Sequence, residues 1–161
     1  MDHPLRRPEE ILAFRSLREI LGSKPRSVWA AGPADSAFSA LQTMAEKNIG
    51  FLVILQREAM VGVLSERDCA RRLVLAGKPA QNTPVADIMV RDVVSVGLTH
   101  TFADCLKLMD QHGIRHLPVT DRAKVVAVVS VRDLMREAVA HHTRIISELE
   151  RERLTIFTST A

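Results

Sequence analysis

A serine and an aspartate spaced three residues apart occur twice, each pair at the start of a predicted helix. The first pair is Ser65 and Asp68, and the second is Ser130 and Asp133. A helix start offers free backbone N–H groups and the positive end of the helix dipole, which suits a phosphate. The serine hydroxyl adds a donor, and the aspartate can accept hydrogen bonds from both hydroxyls of a ribose. The pattern therefore predicts contact with a nucleoside phosphate.

The same residues have an alternative, structural interpretation. A serine followed by an acidic residue at the third helical position forms a capping box, which needs no ligand. Arg67 and Arg132, inside the two stretches, add positive charge that can pair with a phosphate. The recurrence of the whole set favours nucleotide contact in at least one copy, and capping alone stays open.

A second repeated feature lies where a predicted helix meets the next strand. Here Ile49–Phe51 corresponds to Ile114–His116. Gly50 and Gly113 allow close approach of the backbone, and an isoleucine beside an open backbone can pack on a purine face. The alternative is that these residues only end a helix.

The remaining polar residues predict neither a metal site nor catalysis. His112 and His116 are separated by a glycine and a strand start, and His141 and His142 point apart on a helix. No cysteine or carboxylate completes a metal-binding set, so we expect no metal. Nucleophile-elbow and glycine-rich phosphate-loop motifs are also absent, so the protein is predicted not to be an enzyme.

Both features belong to one internal repeat. Val28–Asp68 recurs at Val93–Asp133 with a constant offset of 65 and no insertion. A chain built from one unit used twice usually has a pseudo-twofold axis, and a cleft on that axis is lined twice by equivalent residues.

Apolar runs and breakers predict the order strand–helix–strand–strand–helix in each repeat. In the first repeat the strands are residues 28–31, 51–55 and 60–64, with a helix ending near 47 and another from 65 to about 75. In the second they are 93–96, 116–119 and 125–129, with helices at 101–112 and from 130. Pro118 has no N–H to donate, so its strand is expected at a sheet edge or with a bulge.

Five segments follow from this pattern. They are an N-terminal helical segment at 1–26 (helix 8–21), the first repeat at 27–76, a linker at 77–86, the second repeat at 87–140, and a C-terminal helix and frayed tail at 141–161. Fraying is expected from Thr155 onward.

Composition narrows the class of protein. The 161 residues are 47% hydrophobic and only 4% aromatic, which predicts an aliphatic core. No apolar run is long enough for a membrane span or a signal peptide, so a cytoplasmic location is expected. The net charge of +3 is scattered, which argues against nucleic-acid binding. Cys69 and Cys105 are expected to be reduced and structural.

The repeats resemble tandem CBS domains (cystathionine β-synthase domains), a pair often called a Bateman module. The resemblance covers roughly residues 15–137 and is carried by Val61–Asp68, Val85–Met89, Ile114–Val119 and Val128–Leu134. It is strongest to small bacterial stand-alone CBS-pair proteins. It implies an α/β (α+β) fold of two β-α-β-β-α repeats packed through their sheets with pseudo-twofold symmetry, flanked by N- and C-terminal helices, with two clefts.

The resemblance also implies a regulatory sensor that binds AMP, ADP, ATP, NAD(H) or S-adenosylmethionine. It implies a homodimer that signals to an unknown protein effector, with aspartate on ribose and serine on phosphate. The candidate ligand-binding residues of the first cleft are Asp35, Ser36, Ile49, Gly50, Phe51, Ser65, Arg67 and Asp68. Those of the second are His100, Thr101, Ile114, Arg115, His116, Leu117, Pro118, Ser130, Arg132 and Asp133. A structural or adaptor dimer with empty clefts is the main alternative, and a nucleotide-processing enzyme is a weaker one.

The two copies differ at charged positions. Arg115 replaces Gly50, and Val131 replaces Glu66. The second copy should therefore hold an anionic phosphate better, which predicts tighter AMP-like binding at the Asp133 cleft.

Overall fold

The computed structural model describes residues 15–22 and 27–159. Its helices are α1 Leu17–Leu21, α2 Ala37–Lys47, α3 Glu66–Cys69, α4 Phe102–His112 and α5 Val131–Ser159. Its strands are β1 Ala30–Ala31, β2 Phe51–Gln56, β3 Ala59–Ser65, β4 Val96–Gly97, β5 His116–Asp121 and β6 Lys124–Ser130. The predicted α/β class and the order of elements in both repeats are confirmed.

Each repeat forms its own three-stranded sheet. The strand orders are β1-β2-β3 and β4-β5-β6, and in each the short first strand runs parallel to the middle strand. The middle and last strands of the first sheet pair antiparallel, from Phe51 opposite Ser65 to Gln56 opposite Ala59. The end of β3 therefore lies beside the start of β2, and α3 begins at that edge.

The edge position expected for Pro118 was wrong, because its strand, β5, is the middle strand of its sheet. The alternative expectation, a bulge at Pro118, stays a prediction. The reason lies in the length of β4. In the first sheet, Val53 donates a backbone hydrogen bond to Trp29. Pro118 is the repeat equivalent of Val53 and has no N–H, so that bond cannot form. Pairing in the second sheet starts one residue later, with Val96 opposite Val119.

Two-residue turns connect the hairpin strands in both repeats. Arg57 and Glu58 have positive φ angles of 49° and 67°, and Arg122 and Ala123 have 48° and 65°. Such paired left-handed residues make the hairpin turn whose twist matches that of the strands. Glycine and asparagine usually occupy these positions, so this chain tolerates strain in both turns.

The described residues divide into two compact units. The first contains α1, α4 and α5, and the second contains both sheets with α2 and α3. In the second unit the first repeat has a closed core of buried aliphatic residues that includes Met44, Leu52, Ile54, Leu64 and Ile88. In the first unit the apolar centre includes Leu17, Phe102, Met109 and Leu134. The predicted aliphatic character holds in both.

The segment predicted as a linker packs against the first repeat. Ala37 and Phe38 donate backbone hydrogen bonds to the carbonyls of Thr83 and Ala80, and Val85 is fully buried. The residues that follow this segment pair with the outer edge of β3, because Val63 and Val90 exchange two backbone hydrogen bonds of 2.9 and 2.8 Å. These bonds protect the edge of β3.

Two helices differ from the sequence-based expectation. The helix predicted to reach about Leu75 is α-helical only to Cys69 and continues as a π-helix over Ala70–Val74. α5 continues to Ser159, so the fraying expected from Thr155 is not seen, since no glycine or proline interrupts that stretch. Most of the predicted helix at 8–21 lies outside the described residues, which contain Leu17–Leu21.

The strained hairpin turns generate a stability prediction. Ala123 is exposed and left-handed, so we expect Ala123→Gly to raise the free energy of unfolding by about 0.5–1 kcal/mol. Ala140→Gly is the matched control on the exposed surface of α5 and should lower it by about 0.5–1 kcal/mol. Urea denaturation measures the free energy of unfolding of both variants. A loss of stability in Ala123→Gly would contradict the assigned turn.

Candidate functional site

The serine–aspartate pair of the first repeat forms a complete capping box. Asp68 accepts hydrogen bonds at Oδ2 from the backbone N–H of Ser65 at 2.9 Å and from its hydroxyl at 2.5 Å. The Ser65 hydroxyl oxygen accepts in turn from the backbone N–H of Asp68 at 3.2 Å. Among the described residues none donates to the second carboxylate oxygen, Oδ1. The fold therefore holds this half-buried carboxylate through Oδ2.

The pair of the second repeat has the same geometry. Oδ2 of Asp133 accepts from the backbone N–H and hydroxyl of Ser130 at 2.9 and 2.7 Å. Oδ1 lies 4.0 Å from a guanidinium nitrogen of Arg136, which is a weak, exposed ion pair. The Asp133 side chain is 31% exposed, so its second oxygen can reach a ligand.

Capping boxes also occur at helices with no predicted ribose contact. Ser16 and Glu19 form one at α1, and Thr101 and Asp104 form one at α4. The capping box is thus a recurrent N-terminal cap in the helices of this chain. The box at Ser65 and Ser130 does not by itself identify a ligand, and the case for ligand contact depends on what surrounds it.

The first turn of α3 has fewer free N–H groups than the sequence suggested. The N–H of Glu66 donates to the carbonyl of Gly50 at 3.1 Å, and the N–H of Asp68 is bonded to Ser65. Val131 donates to the carbonyl of Arg115 at 3.0 Å in the same way. We call residues 50–51 and 115–116, where β2 and β5 begin, the strand entries. These bonds join each strand entry to the start of the last helix of its repeat. Side chains, rather than a bare helix end, must therefore supply most of any phosphate contact.

The charged side chain at the strand entry differs in sign between the two copies. A Cβ on Gly50 would lie 2.9 Å from Oε2 of Glu66, so the Glu66 carboxylate lies directly over this glycine. At the equivalent position of the second copy the side chain is that of exposed Arg115, and the residue replacing Glu66 is Val131. The charge difference expected from the sequence is thus located at the strand entry itself.

The rings of Phe51 and His116 stack on each other. Their centroids are 4.8 Å apart and their planes differ by 16°. The two residues are equivalent in the repeat, since they differ by the offset of 65. Two equivalent residues in direct contact lie on either side of the pseudo-twofold axis that relates the sheets. The starts of β2 and β5 therefore meet in a stacked pair of rings.

The residues expected to close each pocket cap the following helix. Ser36 accepts at its hydroxyl from Ser39 N at 3.1 Å, and the Asp35 carboxylate accepts from Gly32 N at 2.7 Å. Thr101 caps α4, and the carbonyl of His100 accepts from Leu17 N at 2.7 Å. All four side chains are at least partly exposed. Asp35, Ser36 and Thr101 make their side-chain hydrogen bonds within their own helix starts, away from the serine–aspartate pairs.

The other candidate residues divide into exposed and buried groups. Exposed side chains are those of Arg67, Arg115 and Arg132. Ile49 packs against the core cluster, and Leu117 and Pro118 are buried in β5, which favours a structural role for these three. Helix termination explains Asn48 and Gly113, which are the left-handed caps of α2 and α4.

One residue that the sequence did not single out for a role joins the first repeat to the start of the second. Arg72 follows α3 and donates to the carbonyl of Met89 at 2.9 Å. It therefore contacts backbone, and no pattern in the sequence indicated this use of a surface arginine.

Both cysteines are buried and free. Burial, with the nearby charges of Asp68 and Glu66, raises the pKa of Cys69 to about 11. Burial and Asp104 raise the pKa of Cys105 to about 11. Thiols protonated at neutral pH are poor nucleophiles, which agrees with the predicted structural role.

Neither a metal site nor a membrane span is found in the part of the chain that the structure describes. Over residues 15–22 and 27–159, no group of three or more histidine, cysteine or acidic side chains is placed to hold a metal ion. None of the helices in this part of the chain is long and apolar enough to cross a membrane.

Comparison with known proteins identifies the class. The sequence profile of the CBS domain matches the chain twice, at residues 18–75 and 85–140. A crystal structure of the CBS domain NE2398 is 41% identical, covers 79% of this chain and 99% of its own, and superposes with a TM-score of 0.75. A CBS-domain protein from Burkholderia ambifaria, described as a candidate for signal transduction, is 33% identical over 78% of this chain and 95% of its own, with a TM-score of 0.75.

Curated relatives give the same result. YhcV of Bacillus subtilis is 32% identical over 66% of this chain and 76% of its own length. The mitochondrial CBS-domain protein CBSX3 of Arabidopsis thaliana is 26% identical over 91% of this chain and 75% of its own. The chain belongs to the CBS domain family and is a tandem CBS pair.

The capping box at α4 generates a pH prediction. Hydrogen bonds from the backbone N–H and the hydroxyl of Thr101 lower the pKa of Asp104 below its ordinary value of 3.8. A carboxyl with a lowered folded pKa adds stability above its unfolded pKa, and this is lost as the pH falls through the folded pKa. We expect Asp104→Ala to lower the Tm by roughly 1–3 °C at pH 7.

The difference in Tm should shrink as the pH falls below 3.8. Thermal melts from pH 7 to pH 3 measure it. Asp110→Ala is the matched control, on the same helix and outside the capping box. A difference for Asp104→Ala that is constant with pH would contradict the assigned cap.

Proposed function

We propose that this CBS pair is a regulatory sensor that binds adenosine-containing nucleotides (AMP, ADP, ATP or NAD(H)) at its two strand-to-helix junctions. The observation that carries the proposal is the divided role of Asp68 and Asp133. In each, Oδ2 accepts from both donors of the capping serine, and no described residue donates a hydrogen bond to Oδ1. A carboxylate held by one oxygen is rigid, and its second oxygen is an oriented acceptor for ribose hydroxyls.

The charges at the strand entries support stronger binding at the second junction. The Glu66 carboxylate over Gly50 puts negative charge where a phosphate would approach Ser65. Exposed Arg115 and uncharged Val131 stand at the same positions near Ser130. Like charge at short range weakens binding, and a guanidinium pairs well with phosphate. The Asp133 cleft is thus the tighter AMP site in this proposal.

The Phe51–His116 stack supports a signalling role. Each ring belongs to the strand entry of a different repeat, and the ring centroids are 4.8 Å apart. A ligand that displaces one ring at its own junction must also disturb the other. Nucleotide occupancy would in this way alter the packing of the two sheets, and a protein effector bound to a homodimer would detect the change.

Calorimetric titration with AMP tests the ribose contact. Asp133→Asn keeps an oxygen to accept from Ser130 but replaces one acceptor with a donor. We expect the dissociation constant of the tighter site to rise about 10–100-fold. Asp68→Asn should affect only the weaker site. Asp110→Asn is the matched control because it makes the same change at an exposed aspartate that is outside the capping boxes and the proposed sites.

Two outcomes of that titration would overturn the unequal clefts. One is an equal loss of affinity from Asp133→Asn and Asp68→Asn, and the other is no loss from Asp133→Asn. If neither AMP, ADP, ATP nor NAD(H) binds the wild-type protein, the structural adaptor is favoured. The observation that favours the adaptor is that the serine or threonine and the acidic residue of each described capping box bond to each other, as Ser16 and Glu19 do.

The charge argument predicts a gain of affinity. Glu66→Val gives the first junction the residue of the second and removes the carboxylate over Gly50. We expect AMP to bind the weaker site about 3–10-fold more tightly, with a smaller gain at high salt. Glu46→Val removes an equal charge from an exposed position on α2 and is the control. Unchanged affinity in Glu66→Val would show that this carboxylate points away from the ligand.

A further inference from the structure

The long helix α5 carries a stripe of apolar side chains that the described part of the chain leaves exposed. Met135, Val139, Ile146 and Leu149 are 54%, 64%, 57% and 56% exposed. Large apolar side chains with more than half of their surface in water on one helix are unusual for a surface that binds nothing.

The stripe has the spacing of a coiled coil. From Val139 the positions run through His142 to Ile146 and Leu149, in alternating steps of three and four residues. This average of 3.5 residues keeps one seam of a helix facing a partner helix. The buried side chains Leu134 and His141 lie on a different face, since about 100° separates successive residues. The stripe is therefore separate from the face that packs inside its own unit.

Half of the stripe lies beyond the CBS repeats. The second match to the family ends at residue 140, whereas α5 continues to Ser159. His142, Ile146 and Leu149 therefore lie C-terminal to the second matched repeat. A contact made there is additional to any contact between the repeats.

We propose that this stripe pairs antiparallel with the same stripe of a second copy of the chain. In this arrangement Val139 packs against Leu149 of the second copy, and His142 packs against Ile146. The twofold axis repeats each of these two residue pairs, so four pairs pack along about 15 Å of helix. The surface is self-complementary, which is what a closed homodimer requires.

The flanking charges favour the antiparallel orientation. Arg136 and Glu150 occupy the same flank of the stripe, and antiparallel pairing brings each beside the other across the interface, twice by symmetry. Parallel pairing would place Arg136 beside Val131 and Glu150 beside Ile145. Arg136 is 74% exposed and has only a 4.0 Å contact with Asp133, so it can turn to a new partner. Opposite charges across a seam set orientation in paired helices.

Analytical ultracentrifugation of the full chain over a concentration series tests the interface. We expect Ile146→Glu to raise the dimer dissociation constant at least tenfold. Ser147→Glu is the matched control, because it adds the same charge at the neighbouring exposed position, off the stripe. Arg136→Glu and Glu150→Arg should each weaken the dimer, and the double variant should restore it. Circular dichroism verifies that each variant keeps its helix.

Disulfide trapping separates this contact from dimerisation elsewhere. An equal mixture of Val139→Cys and Leu149→Cys chains should cross-link between the two variants, because their Cα atoms come within disulfide range. Val139→Cys alone should not, because its two copies lie about 15 Å apart. The native thiols are buried, with pKa values raised to about 11, and do not compete.

Three results would overturn the proposal. They are a protein that stays monomeric at all concentrations, a dimer that Ile146→Glu leaves intact, and cross-linking in Val139→Cys alone, which would indicate parallel helices. No nucleotide is needed in these experiments. Their outcome is therefore independent of whether the proposed AMP sites exist.

Discussion

The structure of both repeats depends on the hydrogen bonds that fix the turn from the last strand into the following helix. Asp68 and Asp133 each accept two donors from the serine three residues earlier, and the carbonyls of Gly50 and Arg115 accept the first helical N–H. Together these bonds set the distance between strand entry and helix start. In the proposed function, the same carboxylates that start the helices would also bind the ribose through their second oxygen, so helix capping and ligand recognition would share one group.

The pseudo-twofold relation brings the equivalent parts of the repeats together at one point. Phe51 and His116 stack across it, and each is joined along the chain to a charged or small strand-entry residue. The symmetry is broken next to that contact, where Glu66 covers Gly50 while Arg115 is exposed. In the proposed function, this contact between unlike strand entries would let one nucleotide site respond to the occupancy of the other.

Much of the fold could be predicted because its signals are local. The offset of 65, the apolar runs and the Ser65 and Ser130 caps were sufficient to identify the two repeats and their order of elements. Pro118 shows a feature of the fold that local sequence signals do not predict. A missing donor predicts an edge strand, but the chain keeps β5 in the middle of the sheet by starting its pairing with β4 one residue later. That adjustment depends on the register between distant segments.

The sequence by itself determined the repeat, the aliphatic core and the residue types at each junction, because these follow from periodicity and from bonds between near neighbours. Only the tertiary structure decided that the Glu66 carboxylate lies over Gly50, that Phe51 meets His116, and that α5 presents an apolar stripe to solvent. The physical reason is that these features depend on which surfaces remain uncovered and which distant residues touch once the chain has packed. No local pattern reports either property.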